Sequence, residues 1–125
     1  TQMLSTVHWR CENEGPYLPV HQKHPCTLWA GQTVENYIWL WKLGIALCKE
    51  YTYRYEKVHA CERVLAILRS PPILLKERGV TKHPQAMPDE YKCSDPIQAY
   101  HDYYINEKAR ICSWKKRETP PFMAL

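Results

Sequence analysis

Glycine is scarce in this chain, with four in 125 residues. No G-x-x-x-x-G-K-S/T loop, G-x-G-x-x-G turn or G-x-S-x-G elbow can be written from them, so nothing points to nucleoside-triphosphate, dinucleotide or serine-hydrolase chemistry. A long apolar run is also missing. The longest, Tyr37 to Cys48, is broken by Lys42 and ends against Lys49, short of the roughly 20 residues a membrane span needs. No membrane partner is expected. Proline, ten in all, is absent between Cys26 and Ser70, which leaves that span open to long helices. No charged-then-apolar leader opens the chain, so Cys11, Cys26, Cys48, Cys61, Cys93 and Cys112 are expected as reduced thiols of an intracellular protein.

What is present suits a folded chain. Hydrophobic residues make up 45% and aromatics 12%, more than a disordered segment carries. This length supports one core, and the expectation is an all-α, single-domain helical bundle with long irregular loops. Lysine plus arginine outnumber acids 17 to 13, a formal charge of +4. That balance is compatible with an acidic partner such as nucleic acid without requiring one.

Periodicity places the elements. Met3, Leu4 and Val7 give a first helix within residues 1–10, and Asn13, Gly15, Pro16, Pro19 and Pro25 make the stretch after it irregular. Thr33 can cap a long helix with Glu35 in its first turn. Its expected inward stripe is Leu40, Leu43, Leu47, Tyr51 and Val58, widened by Tyr37, Trp41, Cys48 and Tyr55. Its outward stripe is Trp39, Lys42, Ala46, Lys49 and Tyr53. The tyrosines of "EYTYRYEKVH" alternate as a strand would, but the helical period on both sides outweighs that local preference. After a bend near Lys57, Val58, Cys61, Leu65 and Leu68 form a second apolar row, ending before Pro71 and Pro72. A proline-rich loop to Ser94 is expected to hold one short element at residues 73–78. Asp95 can cap a last helix with Pro96 in its first position and Gln98 following. That helix is expected to run to about Trp114, with Ile97, Tyr100, Tyr104 and Ile111 inward.

Three constellations could carry function. Trp39, Lys42, Lys49 and Tyr53 combine cations for phosphates with rings that stack on bases, and they also read as a solvated helix face. Arg54, at the edge of the inward stripe, needs an acid or a phosphate; Glu50, one turn back, would serve. "WKKRETPPF" sets Lys115, Lys116 and Arg117 beside Trp114 and Phe122, suited to nucleic acid or simply to a helix C-terminus. His8, Cys11, His21 and His24 have donor types that ligate zinc, but their spacing matches no zinc module, and no metal or cofactor is expected.

The strings "QMLSTVH", "HPCTLWAGQTVENYIWLWKLGIALCKEYTYRYEKVH", "AMPDEYKCSDPIQAYHDYY" and "EKARICSWKKRETPPF" resemble a group of uncharacterised tailed-phage proteins over nearly the whole chain. Those proteins are similar in turn to the phage pyrimidine-dimer DNA glycosylases of the endonuclease V type. The resemblance implies an all-helical protein that binds double-stranded DNA in the host cytoplasm, with DNA repair as its setting. Glycosylase and lyase chemistry in that family uses an amino-terminal amine and a glutamate, which the resemblance places upstream of Thr1, so no catalytic residue transfers to this sequence. Gln2 stands where a basic residue would follow that glutamate, and "SWKKRETPPF" resembles the DNA-contacting C-terminal region. The alternative is a non-enzymatic phage accessory protein, virion-associated or not, that binds nucleic acid or a protein partner through the same surfaces.

Overall fold

In the computed structural model, which describes residues 1–124, the chain clusters into two compact units, Thr1–Thr81 and a second from Lys82 onward. The protein is all-α, with no strand among the described residues.

The first unit holds four helices: α1 (Gln2–Arg10), α2 (Pro25–Ala30), α3 (Val34–Tyr55) and α4 (Cys61–Ile67). Its core joins Leu4 and Val7 of α1, Trp29 and Ala30 of α2, Tyr37 and Cys48 of α3, and Val64, Leu65 and Leu68. Two buried hydroxyls on α1 fasten the irregular crossing that follows it. Ser5 Oγ donates to Tyr17 O and accepts from Tyr17 N, both at 2.9 Å. Thr6 Oγ1 donates to Val20 O at 2.7 Å and accepts from Val20 N at 3.0 Å. These bonds satisfy backbone groups that a segment without regular structure would otherwise leave unpaired.

Helix α2 had no expected counterpart. Its start is set by His24, whose Nδ1 accepts from Cys26 N at 3.0 Å, and by Pro25 in the first turn. A related bond stands just ahead of α4, whose capping position is Ala60: His59 Nδ1 accepts from Cys61 N at 3.0 Å. At α2, histidine thus takes the N-terminal role that Ser, Thr, Asp or Asn usually fill. At α3 the usual device operates: Thr33 Oγ1 accepts from Asn36 N at 3.0 Å. Glu56, with φ of 56°, turns the chain out of α3 in the left-handed region.

The face that α3 buries matches the expected one in part: Tyr37, Leu40, Trp41 and Cys48 lie in or against the core, whereas Leu43, Leu47, Tyr55 and Val58 do not. Asn36, Tyr37 and Cys48 are its buried residues, with Trp41 and Ile45 packed against the core. Leu43 and Leu47 are 40% and 60% exposed, and Tyr55 and Val58 are exposed as well. The inward face lies about a quarter-turn from the leucine row because α4 packs on the Gly44 side. A β-carbon at Gly44 would stand 3.1 Å from both Leu65 methyls, so glycine lets α3 and α4 approach closely there. Polar anchors fix the same side: Trp41 Nε1 donates to Leu65 O and Tyr37 Oη to Leu68 O, each at 2.7 Å.

The short element expected at 73–78 is not formed. Backbone and side chains there bond instead to the start of α3: Val34 N donates to Lys76 O at 3.0 Å, Arg78 N to Glu35 Oε2 at 3.1 Å and Thr33 Oγ1 to Gly79 O at 2.9 Å. Buried Asn36 completes the seam. Its Nδ2 donates to Trp29 O at 2.9 Å and Thr81 Oγ1 at 2.8 Å, and its Oδ1 accepts from Thr81 N at 2.9 Å.

The second unit is built on α5 (Pro96–Tyr103), capped as expected by Asp95, whose Oδ1 accepts from Ile97 N at 2.9 Å. The helix does not continue regularly to Trp114. It widens into a π turn over Tyr104–Lys108, tightens into a 3₁₀ turn over Ala109–Ile111 and becomes extended at Cys112. Asn106 Nδ2 donates to Asp102 O at 2.8 Å, taking up a carbonyl that a regular turn would use for its own ladder. Of the expected inward set, Tyr100 is half-buried, while Ile97, Tyr104 and Ile111 are exposed. Ala99 is buried instead. Tyr100 Oη donates to Pro84 O at 3.1 Å and accepts from Ala86 N at 3.2 Å, and Phe122 stacks on His101 with centroids 4.0 Å apart.

Candidate nucleic-acid interface

The outer face of α3 gathers four of the expected residues. Trp39, Lys42, Lys49 and Tyr53 follow one another at spacings of three, seven and four, which keeps them within one side of a 3.6-residue helix. All four are exposed, Trp39 at 41% and Tyr53 at 47%. From Trp39 to Tyr53 the stripe runs about 21 Å, and the two lysines stand about 10 Å apart along the axis. That interval matches roughly three nucleotide steps of a strand rising ~3.4 Å each.

The stripe is stiff at its first end. Trp39 meets Trp29 edge to face, centroids 5.6 Å apart at 89°, and Trp29 is buried with its Nε1 donating to Thr81 O at 3.2 Å. A ring held this way loses little freedom on stacking against a base. Among the described residues neither Lys42 nor Lys49 makes an ion pair. Arg54 differs: its Nε donates to Glu50 Oε1 at 2.8 Å, and both side chains are largely covered. The acid that this arginine needs is thus supplied from one turn back, and Arg54 stands at the edge of the stripe as half of an ion pair.

The other basic group belongs to the second unit. Trp114 is half-buried, while Lys115, Lys116 and Arg117 are exposed. They occupy a tight turn rather than a helix end: Arg117 N donates to Trp114 O at 2.8 Å, and Lys116 has φ of 60°. The helix dipole proposed to favour them therefore does not act there; the turn sets where the three cations stand.

The histidine and cysteine motif does not assemble. His8 Nε2 lies 2.8 Å from the Tyr37 hydroxyl, and His24 is occupied as the cap of α2. No three His, Cys, Asp or Glu side chains converge as a metal-binding group among the described residues. No helix among them is long and apolar enough to cross a membrane.

Sequence reasoning did not anticipate a cavity of about 320 Å³ lined by Thr1 before α1, by Gly44, Leu47, Cys48 and Tyr51 of α3, and by His59 and Cys61 at the start of α4. Tyr51 forms its aromatic wall, edge to face with His59 at 4.9 Å and tilted against Tyr55 at 4.9 Å. The signal available was the H-x-C pair at His59 and Cys61, repeated at His24 and Cys26. No protein-family model, curated protein or solved structure matches this chain.

Proposed function

We propose that this chain is a DNA-binding protein that meets the phosphate backbone of duplex DNA through the outer face of α3. One observation carries the reading: two lysines that make no ion pair among the described residues lie between two half-exposed rings on a single helix face. The lysines would replace condensed counterions on phosphates, and the rings would contact sugars or unstacked bases. Lys115, Lys116 and Arg117 would add a second basic contact. A phage origin and a setting in DNA repair are part of the proposal and rest on the sequence resemblance. Glycosylase and lyase chemistry is proposed only together with the amine and glutamate that the resemblance puts upstream of Thr1.

The test is fluorescence anisotropy of a labelled duplex across a salt series. Affinity should fall steeply as salt rises, because each phosphate contact releases a counterion. Borohydride trapping on thymine-dimer and abasic duplexes separates the enzyme from the binder: a covalent adduct supports the lyase, and binding without an adduct supports DNA binding alone.

A second reading rests on a different feature. Leu43 and Leu47, four apart on α3, leave apolar side chains exposed beside the basic face, as a surface that binds another protein would. Absence of salt-dependent DNA binding would favour it.

A further inference from the structure

Helices α3 and α4 run antiparallel in a register that the contacts fix. Tyr37 bonds to Leu68, Trp41 to Leu65, and Gly44 abuts Leu65. One turn further along α3 and one turn back along α4, Cys48 and Cys61 come opposite each other at the wall of the cavity. Both are free thiols, but they differ in access: Cys48 is 5% exposed, and Cys61 is half-buried at the rim. Burial first, then the neighbouring Glu62 and Cys61, pushes the Cys48 thiol upward. Access alone makes Cys48 the weaker opening nucleophile of the two.

We infer that Cys48 and Cys61 are a thiol–disulfide exchange pair, with Cys61 attacking a small disulfide held in the cavity and Cys48 resolving it. In the first step the Cys61 thiolate attacks one sulfur of R–S–S–R. The S–S bond breaks, and R–S⁻ leaves to take up a proton. Cys48 then gives its proton to solvent and attacks the Cys61 sulfur of the mixed disulfide, expelling the second R–S⁻. The chain's two thiols are oxidised, the small disulfide is reduced to two thiols, and the new bond ties α4 to α3. Leu47, Tyr51 and His59 give the departing group an apolar and aromatic seat. This activity is independent of DNA binding.

The experiment treats the full chain with oxidised glutathione, then maps disulfides by peptide mass after alkylation in denaturant. The wild-type chain should give a Cys48–Cys61 cross-linked peptide with loss of two hydrogens, reversed by dithiothreitol. Its melting temperature should rise by roughly 5 °C, since the link closes a short loop in the unfolded chain. Cys48→Ser should accumulate the glutathione adduct at Cys61. Cys61→Ser should leave Cys48 a thiol, modified about tenfold or more slowly than Cys61 in the other variant. The wild-type map needs no variant to fold. If it shows glutathione on exposed Cys93 while Cys48 and Cys61 alkylate as free thiols, the inference is overturned; so is it if Cys48 reacts equally fast without Cys61.

Discussion

The His8 imidazole and the Tyr37 phenol are joined at 2.8 Å, and the phenol's only hydrogen goes to Leu68 O at 2.7 Å. The hydroxyl oxygen must therefore accept from His8 Nε2–H, which fixes the proton on that ring nitrogen. The relay ties α1 to α3 and α3 to the end of α4 through a fully buried ring. Burial alone pushes the Tyr37 phenol far above its ordinary range, so it stays a donor at neutral pH.

Tyr37→Phe keeps the ring and removes the relay. Two groups, His8 Nε2–H and Leu68 O, then lose their partner. Urea denaturation should show a loss of about 1–3 kcal/mol, the usual cost of leaving buried polar atoms unsatisfied, with an unchanged dependence on denaturant.

His8 should make stability depend on pH. Its burial lowers the imidazole below the ordinary value, so the folded chain resists a proton that the unfolded chain accepts near ~6.5. The unfolded state then binds more protons in that window, and stability is lost as pH falls from the unfolded value to the depressed folded one. Denaturation midpoints measured from about pH 7.5 to about pH 5 should decline less for His8→Gln, which keeps a donor without titrating.

Asn36 is the polar hub beneath the start of α3, with Trp29 O, Thr81 N and Thr81 Oγ1 on its amide. Asn36→Ala should cost about 2–4 kcal/mol, because three partners lose their bond inside the protein at once. Hydrogen exchange should show the 76–81 segment opening first, as the stitch that holds it to α3 would be gone.

In the second unit Tyr91 donates to Glu107 at 2.6 Å, and this bond, followed by burial, pushes the phenol up to about 12. Ultraviolet titration should find Tyr91 among the tyrosines that ionise late, and Glu107→Gln should return that one toward ~10. Since the folded state keeps that proton longer than the unfolded state does, the contribution to stability is present below the unfolded value and lost as pH rises through the folded one.

Local signals with one reading survived into the structure. Thr33 and Asp95 cap where they stand because a hydroxyl or carboxylate before a helical pattern has few competing uses. The outer stripe of α3 was legible for the same reason: residues spaced to stay on one side of a helix must share it. The inner stripe was right at Tyr37, Leu40, Trp41 and Cys48 and wrong at Leu43 and Leu47, because periodicity counts leucines but is blind to backbone approach. Gly44 adds no hydrophobicity to a pattern, yet it decides which side α4 packs on and so leaves Leu43 and Leu47 outside. Helix α2 and the exit from α5 depended on a histidine cap and on the Asn106 amide, side chains whose usual reading is a loop or a solvated face. The cavity follows from the α3–α4 register, which no spacing within either segment encodes.

The DNA-binding reading stands on the outer face of α3, and the slope of log affinity against log salt for a labelled duplex tests it most directly. Lys42→Ala with Lys49→Ala should weaken binding and reduce the slope by about 1.8, the release from two phosphates at ~0.9 each, while the circular-dichroism spectrum stays that of the parent. An unchanged slope in the double variant would contradict it.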